Sequence, residues 1–213
     1  MEQAYRSFNT DGLSLRQSPQ AHSVFFHTIE SLGRVMEIRD LYVHSHQNSV
    51  SSLAYQIGKV MGLDGDSLQG LKFGAALHDI GKIGVPSSIL NKPAKLSPEE
   101  FALVKKHCEM GYQILQGIEF PWPVADMVYQ HHERLDGSGY PRGLSGNEIL
   151  LEAQIISVAD IVHSISEERP YRLAKGLCKA REVITEGSGK FFHPEVVRAC
   201  LSIIQPRDAI SIY

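Results

Sequence analysis

The stretch SPEEFALVKKHCEMGYQIL, residues 97–115, decides the fold class. Ser97-Pro98-Glu99-Glu100 reads as a capping box. Ser97 is placed to accept from the third backbone N–H of a helix, Glu100 to reach back, and Pro98 to occupy the first helical position. Leu96 and Phe101 are spaced for a hydrophobic staple across this start. Downstream, Phe101, Val104, Cys108, Tyr112 and Leu115 fall on one stripe at helical spacing, with His107 at its edge.

Working outward, the same period continues. Pro121-Trp122-Pro123 opens a helix carrying Val124, Met127, Val128 and His131 at i, i+3, i+4 and i+7. It ends in the turn-rich loop Asp136-Gly137-Ser138-Gly139-Tyr140-Pro141. Helices are expected at about 149–168, with Ala153, Ile156, Ala159 and Asp160, and then at about 172–187 and 194–204. Upstream, helices are expected at about 23–38 and 41–62, the second burying Val50, Leu53, Ile57 and Val60. Asp64-Gly65-Asp66-Ser67 supplies a turn and N-cap for a helix running to about His78. Gly81, Gly84, Pro86 and Pro93 give residues 81–93 loop chemistry, and residues 1–22 read as a polar lead. Alternating strand patterns are weak throughout. The expectation is therefore one all-α domain over 23–213, a helical bundle.

Composition sets outer limits. With 213 residues, 43% hydrophobic and 21% charged, the chain suits one globular domain. The formal net charge of -3 gives no basic face for bulk nucleic acid. Cys108, Cys178 and Cys200 are scattered and odd in number, which argues against a disulfide framework and fits a reducing cytoplasm. No run is apolar enough for a membrane helix, and the N-terminus lacks a signal-peptide core.

Ten histidines are the unusual feature, several of them beside acids in apolar helical patterns. His78-Asp79 can serve one centre only at a helix end or break, which Gly81 and Gly84 supply; the bland reading is a capping or surface pair. His131 and His132 point inward at the end of their helix, where each needs a partner. Asp160 lies on an apolar face, where a carboxylate is costly unless paired or metal-bound. His46 sits four residues from both Tyr42 and Val50, and His107 lies at a stripe margin. Jointly these residues offer five imidazoles and two carboxylates, more than one cation takes. Two divalent cations, with Asp79 bridging, are the reading. Imidazole and carboxylate admit Fe, Mn, Co, Ni or Zn. His163, one turn from Asp160, reads as structural or solvent-facing sooner than as a ligand.

The run His78-Asp79-Ile80-Gly81-Lys82-Ile83-Gly84-Val85-Pro86, followed by His131-His132-Glu133-Arg134-Leu135-Asp136-Gly137-Ser138-Gly139-Tyr140-Pro141, closely resembles the HD-GYP domain of the HD phosphohydrolase superfamily. Arg39-Asp40 with His46, Lys106-His107, Val158-Ala159-Asp160 and Arg169-Pro170-Tyr171-Arg172 extend the match over roughly 30–202. The resemblance implies an HD-type helical bundle that hydrolyses cyclic di-GMP to linear pGpG, and in some members on to GMP, with water activated as hydroxide by two metals. It carries over His46, His78, Asp79, His107, His131, His132 and Asp160 as metal ligands and favours Fe or Mn. Asp79 and Lys82 take the catalytic roles, Lys82 as the phosphate-side cation. Gly139, Tyr140 and Pro141 form a substrate loop, and Arg169 and Arg172 contact phosphate. Where some members place a Glu for a third metal this chain has Tyr42, and His163 stands where an Asp is common. A cyclic GMP-AMP phosphodiesterase and a catalytically silent dinucleotide sensor are the alternatives. A dimer and an upstream regulatory domain both fit the family.

Overall fold

In the computed structural model, residues 43–166 and 176–204 are described. The expected lead at 1–22, the helix at 23–38, and Arg39, Asp40, Arg169 and Arg172 lie outside them. Among the described residues the structure is helical, with two isolated bridges and no strand. In chain order the α-helices are α1 (Val43–Val60), α2 (Gly65–Leu77), the single turn α3 (Ser87–Leu90), α4 (Pro98–Lys105), α5 (His107–Leu115), α6 (Val124–Gln130), α7 (Leu151–Ser166), α8 (Gly176–Glu186) and α9 (Pro194–Ile203). Short 3-10 turns occupy Ile80–Gly84 and Gly146–Glu148. No described helix is long and apolar enough to cross a membrane.

The local signals that start these helices act as their chemistry requires. The Asp64 carboxylate accepts from Ser67 N–H at 2.7 Å. Both halves of the Ser97/Glu100 capping box are formed, with Pro98 at the first turn. Several expectations fail. The helix expected through 97–115 breaks at Lys106, whose N–H bonds back to the Leu103 and Val104 carbonyls and tightens the last turn of α4. The break turns the stripe: Cys108 and Leu115 are fully buried, whereas Phe101 is 45% exposed and closes no staple. Residues 81–93 are also more ordered than loop chemistry suggests, since they hold a 3-10 turn and α3. Val60, expected inside, is 56% exposed at the end of α1.

α1 packs on α2 and α7, α7 on α8, α5 on α6, and α5 on the 3-10 turn at Ile80–Gly84. One apolar cluster joins Val50, Ala54 and Ile57 of α1 to Leu71, Ile155, Ile156, Val162, Ile184 and Val197. A second joins Phe73, Leu77 and Ile80 to Leu115, Val124 and Val128. The approach of the 3-10 turn to α5 is very close. A Cβ on Gly81 would run into the His107 carbonyl and the Gly111 N–H. Gly81 is thus required by backbone proximity, and through it by the position of the residues on either side.

Gly81→Ala is expected to cost about 3 kcal/mol by overpacking against backbone that cannot yield, lowering Tm by about 6–12 °C. Gly65→Ala, with open space around the added methyl, should leave Tm nearly unchanged. Thermal melts of both variants check this; an unshifted Gly81→Ala would contradict the close approach.

Candidate metal centre

Each histidine expected at the centre sits at or near a helix end, and this settles its aim. α2 ends at Leu77, with His78 as its C-cap and Asp79 just beyond at φ -100°, ψ 6°. α6 ends at Gln130, with His131 as its C-cap. His107 opens α5 directly after the Lys106 break. At all three places the ring Nδ1 lies 2.7 Å from the carbonyl three residues back: His78 on Ala75, His107 on Val104, His131 on Val128. A carbonyl can only accept, so each Nδ1 carries the proton and donates. Each Nε2 is left as a lone pair pointing inward.

Those lone pairs meet without a proton between them. His107 Nε2 and His131 Nε2 are 3.3 Å apart, and both rings are buried. His78 Nε2 is buried with no hydrogen-bond partner, although Asp79 Oδ2 lies 3.3 Å away. Inward lone pairs of this kind are costly unless a cation takes them.

Asp79 stands between the rings, 2% exposed. Its Oδ2 faces His78 and its Oδ1 lies 3.4 Å from His107 Nε2. The Lys82 ammonium reaches Asp79 Oδ2 at 2.5 Å. Burial works to raise the Asp79 carboxyl, but Lys82 and His78 outweigh it and hold the group well below the usual carboxylate range. Asp160 behaves likewise. Burial is overcome by the hydrogen bond and charge of His46, whose Nε2 lies 3.1 Å from Asp160 Oδ1, and the carboxyl is held well down. Burial pushes His131, His132 and His107 below the ordinary imidazole value, the first two strongly, with neighbouring histidines adding to the effect. His78 goes the other way: burial would lower it, but Asp79 prevails and raises it.

Six of the seven expected ligands fall into two sets, the second of which also takes in Cys108. The donor atoms of His46, His78 and Asp79 lie within 4.8 Å of one another, as do those of His107, Cys108, His131 and His132. Asp79 joins the sets through its two oxygens, and Asp160 reaches the first through His46. The donors are neutral imidazoles and carboxylates, a chemistry that fits divalent transition metals. His163, read as structural or solvent-facing with a partner to a ligand as the alternative, places Nδ1 2.9 Å from His46 Nδ1. Gln154, in α7, donates to the Ile149 carbonyl.

The loop after His132 is fixed by a residue that sequence reasoning passed over. Glu133 is buried, and its carboxylate accepts the N–H groups of Arg142 at 2.7 Å and Leu144 at 3.0 Å. Tyr140 N–H donates to the His132 carbonyl. Gly139 lies so close to Glu133 and Arg134 that a Cβ would enter their backbone. The loop is thereby folded back on the end of α6, and the Tyr140 ring rests 4.8 Å from that of His132. Lys105 Nζ lies 5.3 Å from the Tyr140 ring centre. Burial pushes the Tyr140 phenol up, so it stays protonated. Arg134 is held by Ser157 Oγ and lies over Phe192. The sequence signal for Glu133 was a carboxylate directly after two inward histidines, a position that must be paired if buried. Gln130, buried one turn earlier, accepts Leu150 N–H and ties α6 to the start of α7.

Comparison with known proteins agrees with this geometry. The HD domain family matches residues 30–196. A protein of Thermotoga maritima named cyclic di-GMP phosphodiesterase is 42% identical over 180 residues, which are 84% of this chain and 49% of that protein. The 3'3'-cGAMP-specific phosphodiesterase 3 of Vibrio cholerae is 36% identical over 80% of this chain and 37% of its own length. The chain thus spans about half the length, or less, of the curated relatives it matches. Among solved structures, Bd1817 of Bdellovibrio bacteriovorus, described as an HDGYP protein, superposes with a TM-score of 0.64 at 23% identity over 87% of this chain and 61% of that one. With a match over most of its length and the clustered His78-Asp79 pair at its centre, the chain belongs to the HD domain family.

Proposed function

We propose that the chain is a metal-dependent phosphodiesterase acting on a cyclic dinucleotide, with cyclic di-GMP as substrate and linear pGpG as first product. The observation that carries this reading is the set of inward Nε2 lone pairs of His78, His107 and His131, gathered about an ionised Asp79. Under it, His46, His78, Asp79, His107, His131, His132 and Asp160 hold two divalent transition metals, Fe or Mn in preference. Two cations bound there would lower the pKa of a water held between them and offset charge on the phosphoryl oxygens.

The chain's own groups do the rest. The Nδ1 anchors prevent the rings from turning, so the donors are in place before substrate arrives. Asp79 keeps one oxygen toward each half of the centre. Lys82, 22% exposed along its side chain, can swing from Asp79 Oδ2 toward a phosphate, and there it would neutralise the scissile group. Tyr140, held protonated and beside the His132 ring at a tilt of 32°, suits stacking on a base rather than proton transfer. Gly139 and Pro141 set its position, and Arg169 and Arg172 are proposed phosphate contacts. Cyclic GMP-AMP is the second reading, favoured by the likeness to the Vibrio cholerae relative. Turnover of both dinucleotides with added Mn or Fe separates the two. Absence of hydrolysis with tight binding would instead mark a silent sensor.

In the same assay, Asp79→Ala should lose bound metal and turnover together, whereas the parent protein should hold about two transition metals per chain by elemental analysis. Ordinary hydrolysis by that variant would refute the bridge. Lys82→Ala should retain the metals and lose about 10²–10³ in rate; loss of metal would mean that Lys82 positions the centre instead.

The lowered histidines also fix a pH dependence for the metal-free protein. In the unfolded chain they titrate near about 6.5. Below that value the unfolded chain takes up protons that folded His107, His131 and His132 resist, so stability falls with pH. His78 opposes this, because its raised value adds stability below about 6.5 that fades as pH rises through the folded value. His131 and His132 lie well below the ordinary value, and they set the direction. Asp79 and Asp160 add stability lost only as pH drops through their lowered values, beneath this window. Melts of chelator-treated protein should therefore show Tm falling between about pH 7 and pH 5.5. A rise would mean that the rings are not held neutral.

A further inference from the structure

We propose that Cys108 is a fourth side-chain donor beside His107, His131 and His132, giving that half of the centre a mixed nitrogen–sulfur set suited to a thiophilic divalent cation such as zinc or cobalt. The inference rests on the metal reading above and adds to it a ligand and a preference.

Cys108 is fully buried. Its Sγ lies 3.5 Å from His107 Nε2, the atom that also faces His131 Nε2 at 3.3 Å. Both of those nitrogens are lone pairs, because each ring's proton is committed to a carbonyl. They are two nearly inaccessible polar atoms aimed into one space, and the Cys108 thiol faces that space, its S–H donating to His107 Nε2. The donor atoms of all four residues lie within 4.8 Å of one another. Among the described residues, Cys108 joins neither apolar cluster, whereas Cys200, equally buried, sits within the first.

The two halves would then differ in kind. His46, His78 and Asp79 offer only nitrogen and oxygen, while the Cys108 half adds a soft donor, and softness is what separates zinc and cobalt from manganese at otherwise similar sites. On coordination the S–H bond breaks, its electron pair remains on sulfur as the donor pair, and the proton passes to solvent. No oxidation state changes.

Cobalt(II) reports the ligand directly. The whole chain, freed of metal and loaded with cobalt(II) without air, is expected to show a near-ultraviolet sulfur-to-cobalt charge-transfer band. Cys108→Ser should lose that band while retaining bound cobalt and its visible bands. Cys178→Ser and Cys200→Ser should keep it. Cobalt bound to the parent chain with no such band, or a band that survives in Cys108→Ser, would overturn the assignment of Cys108 and leave the metal reading standing. A parent chain that binds no cobalt would overturn the metal reading itself. The parent spectrum decides the matter even if Cys108→Ser does not fold.

Discussion

Three hydrogen bonds of one kind organise this molecule's centre: an imidazole Nδ1–H given to the carbonyl three residues earlier, at His78, His107 and His131. Each arises because the histidine stands at a helix terminus. There the final turn leaves a carbonyl without an intrahelical partner, and the side chain can fold back onto it. The bond satisfies the carbonyl, fixes the tautomer and turns the second nitrogen inward. The centre is thus built from the loose ends of helices, and the helix ends at Leu77 and Lys106 belong to it as much as the imidazoles do.

Such an arrangement is held against its own electrostatics. Asp79 and Asp160 are ionised although burial disfavours charge, and the histidines around them are kept neutral by the same burial. Lys82 reaches Asp79 and His46 reaches Asp160, and these partners outweigh the cost of burial. The apolar clusters to either side, one through α1, α2, α6, α7, α8 and α9 and one through α2, α5 and α6, frame the centre.

The loop after His132 is positioned by similar means. Glu133 follows His132, turns away from the centre, and holds the far side of the loop through two backbone N–H groups. One short segment therefore provides two imidazoles to the centre, a buried anchor for the loop, and the ring of Tyr140 lying on His132. A loop tied down in this way holds Tyr140 in a fixed position beside His132.

Sequence by itself determined the helical class, the starts at Asp64 and Ser97, and which histidines gather with Asp79, because caps and the 3.6-residue period are local and clustered histidines on apolar faces are conspicuous. It mistook the continuity of 97–115 and the burial of Phe101 and Val60, since where a helix breaks depends on what packs against it. It could not see that Gly81 must lack a side chain, that Glu133 anchors the loop, or that His163 meets His46 across 117 residues. Those facts were decided only in the folded chain, because a close approach between distant segments leaves no mark on the period or propensity of either one.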